Sequence, residues 1–151
     1  MKGFNPGRNI LIQYLIKLQA MFTIDQINEA GSKIRSGADF PGYVQDLIRL
    51  GVIGYESYVS DGHATYWDMS GYKISRNKGY PEIKIADQSD KTLFQKDLKE
   101  HQQGNTNYST FCADCARTGV ERWVVDTIKL TCSYFDKSGE EILVESIPVP
   151  Q

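Results

Sequence analysis

Apolar positions along this chain keep helical spacing in some stretches and alternate in others, and the same succession of patterns occurs twice. Shifted by 68 residues, Phe40 to Ser75 aligns without a gap on Tyr108 to Leu143. Asp46/Asp114, Arg49/Arg117, Gly51/Gly119, Val52/Val120, Tyr66/Tyr134, Asp68/Asp136, Ser70/Ser138, Gly71/Gly139 and Ile74/Ile142 are identical pairs. Aromatic exchanges add Tyr43/Phe111, Tyr55/Trp123 and Trp67/Phe135. A fixed offset held this long is the mark of a duplicated supersecondary unit.

The first unit opens at Thr23, which forms a capping box with Gln26 ahead of Ile24, Ile27, Gly31 and Ile34 at helical spacing. Gly37 should end that helix, and Asp39 should cap a second one carrying Pro41 in its first turn. Tyr43, Val44, Leu47, Ile48 and Leu50 make its apolar stripe, and Gly51 can take the left-handed conformation where it stops. Val52 to Val59 reads as a strand, Asp61-Gly62 as a two-residue hairpin, and His63 to Asp68 as the return strand. Asp68-Met-Ser-Gly71 has the form of a turn, and Tyr72 to Ser75 that of a short third strand. After a linker over residues 76–89, with Glu82 to Ala86 extended, Asp90 caps a helix with Leu93, Phe94 and Leu98 on one face. A helix over 108–118 capped near Asn107, and strands over 120–128, 130–136 and 140–147, then retrace the first unit.

The expected fold is therefore α+β, built from two tandem α-α-β-β(-β) repeats related by a pseudo-twofold axis. Its sheet should be mostly antiparallel and covered by helices on one face, because the hairpins are short. One sheet and two sheets remain alternatives. Repeat one covers 23–75 and repeat two 90–147, within a single domain over 21–151. Residues 1–20 read as an extension. A secretory signal is one reading of them, but the apolar run Ile10 to Leu18 is interrupted by Gln13 and Lys17. Two readings are preferred: an extension appended ahead of Met21, or a strand at Ile16 to Leu18, which resembles Ile83-Lys84-Ile85.

Composition narrows the function classes. Hydrophobic residues make up 40% and charged residues 24% of 151, in the normal range of a globular protein. The net charge of −2 argues against nucleic-acid binding, which needs a basic face. No stretch approaches the ~20 apolar residues that span a bilayer. Three cysteines, an odd number, do not make a secreted disulfide framework, so the expected compartment is the cytoplasm.

Cys112-x-x-Cys115 suggests a redox pair or half a zinc site, with Cys132, His101 and His63 as the further soft ligands. Against this, Cys112 lies beyond the first helical turn, where the dipole no longer lowers a thiol pKa. The offset also sets Cys112, Cys115 and Cys132 opposite Val44, Leu47 and Ala64, so small apolar roles fit all three. Asp68 and Asp136 fit turn roles better than acid–base catalysis. Among the aromatics, Tyr66, Trp67, Trp123 and Tyr134 are the candidate binding residues, as walls of a pocket between the repeats, although core and cross-strand packing is the reading that takes precedence.

The pattern Phe111-Cys-x-x-Cys-x-x-x-Gly119-Val120-x-x-Trp123, then Thr131-Cys132-x-Tyr134, Gly139 and Ile147-Pro148, resembles a bacterial family of unknown function. Members of that family are often labelled phage-envelope-like proteins, which would associate the chain with prophages. Phe40-Pro41, Leu50-Gly51-Val52 and Thr65-Tyr66 fit the same family, so the resemblance spans Phe22 to Pro150 and leaves residues 1–20 outside. It implies a small α+β protein and no established chemistry.

Two function classes follow. One is a non-enzymatic binding or interaction module for a small molecule or a protein, with no cofactor and with a homodimer as one arrangement. The other is a small thiol-dependent or metal-binding enzyme that uses Cys112, Cys115 and Cys132.

Overall fold

The computed structural model describes residues 6–151. The first described element is a helix, α1 (Pro6–Ala20), so Ile16 to Leu18 are helical and the strand reading of that stretch is overturned. A strand there would need a sheet edge beside it, and the six-stranded sheet is built without it. Residues Gly7 to Leu15 are exposed, Ile10, Leu11 and Tyr14 among them. The expectation of irregular backbone over Met1 to Asn9 lies partly outside the described residues, and Pro6 to Asn9 are helical. Among the described residues no helix is long and apolar enough to cross a membrane.

Helix α2 (Ile24–Gly31) begins at the anticipated capping box, with Thr23 Oγ1 accepting from Gln26 N and Gln26 Oε1 accepting from Thr23 N. It ends at Gly31, six residues before Gly37. Ser36 instead caps a 3-10 turn, Gly37–Asp39. The Asp39 carboxylate turns back to accept from Arg35 N and Ser36 N, so it does not cap the following helix as the sequence suggested. Helix α3 (Phe40–Leu50) buries Tyr43, Val44 and Leu47 and stops at Gly51, whose φ of 91° is left-handed.

The chain then runs β1 (Gly54–Tyr58), β2 (Ala64–Trp67) and β3 (Lys73–Arg76). The β1–β2 connection is longer than a two-residue hairpin: Tyr58 N bonds to His63 O, and Gly62 N bonds back to Tyr58 O. Residues 77–90 form neither helix nor strand. They are pinned by Ile83 N to Ser60 O, by Ala86 N to Ala116 O and by the buried side chain of Ile85. Helices α4 (Lys91–Gln102) and α5 (Tyr108–Arg117) follow, capped by the side chains of Asp90 and Asn107. Strands β4 (Arg122–Asp126), β5 (Thr131–Phe135) and β6 (Glu141–Ser146) complete the chain.

All six strands join one antiparallel sheet in the order β3-β2-β1-β4-β5-β6, which answers the question of one sheet or two. The protein is α+β. At the centre β1 pairs with β4, with Glu56 opposite Val124. Each half is a meander, closed by an Asp whose carboxylate accepts from the residues of its own turn: Asp68 from Ser70 and Tyr72, Asp136 from Ser138 and Glu140. These aspartates are turn residues, as expected.

Along the strands burial alternates with a period of two, which puts Tyr55, Ser57, Ala64, Tyr66, Trp123, Val125, Cys132 and Tyr134 on one inner face. The helices pack there. Tyr43 of α3 sets its ring edge-on to Tyr55, Phe94 of α4 sits edge-on to Tyr134, and Phe111 of α5 lies against Trp123.

Candidate functional site

Between the helical layer and the inner face of the sheet lies a cavity of about 910 Å³. That volume is at the upper end of the range for small-molecule sites. Both halves of the chain line it. Tyr43, Tyr55 and Tyr66 come from the first half, and Tyr108, Trp123 and Tyr134 from the second.

Strand register explains the floor. One cross-strand row runs Arg76–Ala64–Ser57–Trp123–Tyr134. A second runs Tyr66–Tyr55–Val125–Cys132–Glu145. The last pairing depends on a bulge at Tyr134/Phe135, which shifts β6 by one residue and turns Glu145, rather than Val144, inward. Val144 is accordingly exposed.

Polar groups are few in this lining. Tyr43 and Tyr66 share a hydrogen bond of 3.2 Å between their hydroxyls. Burial, with the neighbouring Tyr66 hydroxyl, raises the Tyr43 phenol far above its ordinary pKa, so it stays protonated at any physiological pH. Tyr55 is raised for the same first reason. Tyr80 reaches over from the 77–90 segment and donates to Val59 O at 2.6 Å. The Arg76 guanidinium donates to Gly62 O at 3.4 Å, and no carboxylate among the described residues lies within ion-pair distance of it. Burial works against the Arg76 charge. The surrounding hydroxyls of Tyr66, Tyr108, Tyr43 and Tyr55 together outweigh that and hold its pKa above the usual value. Ser57 is 1% exposed, and its Oγ has no hydrogen-bond partner among the described residues.

Of the four residues singled out from sequence, Tyr66, Trp123 and Tyr134 line the cavity. Trp67 does not. It belongs to the opposite face of β2, its ring lying over Gly54, where an added Cβ would meet the indole at 2.7 Å. Arg76, Ser57, Tyr43, Tyr55 and Tyr108 were not singled out. A signal existed for Ser57: alternation puts it on the same face as Tyr55, a polar residue in an apolar stripe. None existed for Arg76, which sequence placed at the start of a linker.

The three cysteines are free and buried. Burial pushes the Cys112 thiol up, partly offset by the nearby hydroxyls of Tyr80 and Tyr108. Burial raises Cys115 well above its ordinary value and moves Cys132 to about 12. A reactive thiol needs the opposite shift. Among the described residues no group of three or more His, Cys, Asp or Glu is placed to hold a metal ion.

The fold and the cavity together describe a single-sheet α+β domain with an internal aromatic chamber. The chain belongs to the family described as "Protein of unknown function (DUF1398)", whose match covers residues 28–146. That span takes in both Arg76 and Glu145, at the two ends of the cavity. No curated protein matches the chain.

Proposed function

We propose that the protein is a non-enzymatic binding module whose ligand is a small molecule held in the cavity between the two halves of the chain. The observation that carries this reading is the cavity itself, about 910 Å³ and walled by Tyr43, Tyr55, Tyr66, Tyr108, Trp123 and Tyr134. A concavity of that size, lined by aromatic side chains with a few polar groups among them, has the form of a small-molecule site. Aromatic walls offer large contact area with little side-chain entropy to lose on binding. Three free thiols accord with a reducing compartment such as the cytoplasm. The phage-envelope label plays no part in this reading, because an internal chamber calls for no virion role.

The reading includes the duplication: the chamber lies between two copies of one unit. In its support, the β1–β2 and β4–β5 hairpins share a register, Tyr55 opposite Tyr66 and Trp123 opposite Tyr134. The central pair Glu56–Val124 is itself 68 residues apart, the spacing that a twofold axis through that pair would require. Gly51 and Gly119 also share a left-handed φ, 91° and 85°.

Titration with the neutral dye N-phenyl-1-naphthylamine tests the binding function. One saturable site with enhanced dye fluorescence, weakened when Tyr66→Ala and Tyr134→Ala remove wall area, is the expected result. A folded wild-type protein that leaves the dye dark, or takes it up without saturation, overturns the reading.

A further inference from the structure

The two ends of the cavity differ in chemistry, and the difference identifies a ligand class. At the β3 end stands Arg76, half-buried, with its fork of N–H groups committed only to a long bond with Gly62 O. Next to it in the row is Ala64, fully buried and too short to fill the space above it, and then Ser57 with its unpartnered hydroxyl. A buried hydroxyl left without a partner destabilises the fold, so such groups call for an explanation. Sequence offers a comparison: 68 residues beyond Ser57, on the same inner face, Val125 packs at 0% exposure. An apolar residue serves the scaffold there, so the hydroxyl of Ser57 is not a structural requirement.

We infer that the cavity takes a monoanionic organic acid with an apolar, ring-sized body, its carboxylate held by Arg76 and Ser57 and its body lying against the aromatic wall toward Trp123 and Tyr134. This rests on the binding function proposed above. A guanidinium matches a carboxylate bidentately, and the Ser57 hydroxyl supplies a further donor. One cation suits a single negative charge. A doubly charged phosphate ester would meet no second Lys or Arg among the lining residues. Glu145 also lines the cavity, but from β6, the opposite edge strand. Five inter-strand steps separate the two strands in the sheet, and no ion pair joins Glu145 to Arg76 among the described residues. The guanidinium is thus left to the acid, and the Glu145 carboxylate disfavours an anion at the β6 end.

Calorimetric titration of the full chain with 1-naphthaleneacetate and its neutral isostere 1-naphthaleneacetamide tests this. The acid should bind about tenfold or more tightly than the amide, the scale of one charge-assisted contact in a dry site. Arg76→Met should erase that preference by weakening the acid far more than the amide, and Arg76→Lys should restore part of it. Thermal unfolding of each variant shows whether it is folded. The wild-type ratio needs no variant at all. Acid and amide bound alike by the wild type would overturn the anion assignment and leave the chamber standing. Neither probe bound, with N-phenyl-1-naphthylamine still taken up, would also overturn it. Loss of all three would overturn the binding function as well.

Discussion

The β3 end of the inner sheet face carries Arg76 and the unpaired hydroxyl of Ser57, whereas the β6 end carries Glu145, and Val125 occupies the place matching Ser57. Elsewhere the halves agree. Gly51 and Gly119 both terminate helices, Asp68 and Asp136 both close turns, and Tyr66 and Tyr134 both face inward. The agreements lie where backbone geometry is demanding. The differences lie where side chains meet empty space. The two ends of the chamber therefore differ in chemistry, which is what a ligand with two unlike ends would require.

Substitutions can break that comparison or sharpen it. The largest contrast is expected at the paired glycines. At Gly51 an added Cβ meets nothing within 4 Å, so Gly51→Ala costs only the left-handed strain, about 1–2 kcal/mol. At Gly119 a Cβ would lie 2.7 Å from Gln88 O and Ser89 Cα, which are backbone and cannot swing away. Gly119→Ala should cost roughly 2–5 kcal/mol, strain and overpacking together, in urea unfolding. Equal costs at the two sites would show that the 77–90 segment yields easily.

Exchanging the matched pair on the inner face comes next. Val125→Ser buries a hydroxyl and removes methyl contact, and should cost about 2 kcal/mol or more. Ser57→Val should instead raise the unfolding free energy of the free protein, by about 1 kcal/mol, by removing the unpaired group. Stabilisation at a site whose native residue is worse for folding is the usual sign of a functional compromise. A destabilised Ser57→Val protein would mean that the hydroxyl serves the fold.

The cysteines give a smaller contrast. Cys115 is fully buried, and the neighbouring Thr118 hydroxyl is already spent on the Asp114 and Cys115 carbonyls, so Cys115→Ser should cost about 1–3 kcal/mol. At Cys112 the Tyr80 and Tyr108 hydroxyls stand ready as partners, and Cys112→Ser should cost less than ~1 kcal/mol. Chemical denaturation of the reduced protein reads both. Least affected should be a chain begun at Met21. Exposed Gly7 to Leu15 contribute little packing, and stability should change by no more than ~0.5 kcal/mol.

Much of the scaffold was legible in the sequence because its signals are local. The Thr23–Gln26 box, the Asp90 and Asn107 caps, Gly51 and the Asp-x-Ser-Gly turns each bind their own neighbours. The chamber was not legible, since its floor depends on cross-strand register. Nothing near Arg76 in sequence announces that Ala64 and then Ser57 lie beside it. The bulge that turns Glu145 inward is likewise a one-residue slip that period-two patterning does not reveal. Trp67 was misplaced for the same reason: an aromatic pair on a strand must split between faces, and pattern alone did not say which member faced the helices.

The two tryptophans now provide the most direct test of the chamber as the ligand site, because Trp123 lines it and Trp67 lies on the other face. Protein labelled with 5-fluorotryptophan gives two fluorine resonances, assigned with Trp67→Phe. Titration with N-phenyl-1-naphthylamine should move the Trp123 resonance to saturation and leave that of Trp67 in place. Movement of Trp67 alone, or of neither while the dye binds, would put the ligand elsewhere and contradict the account.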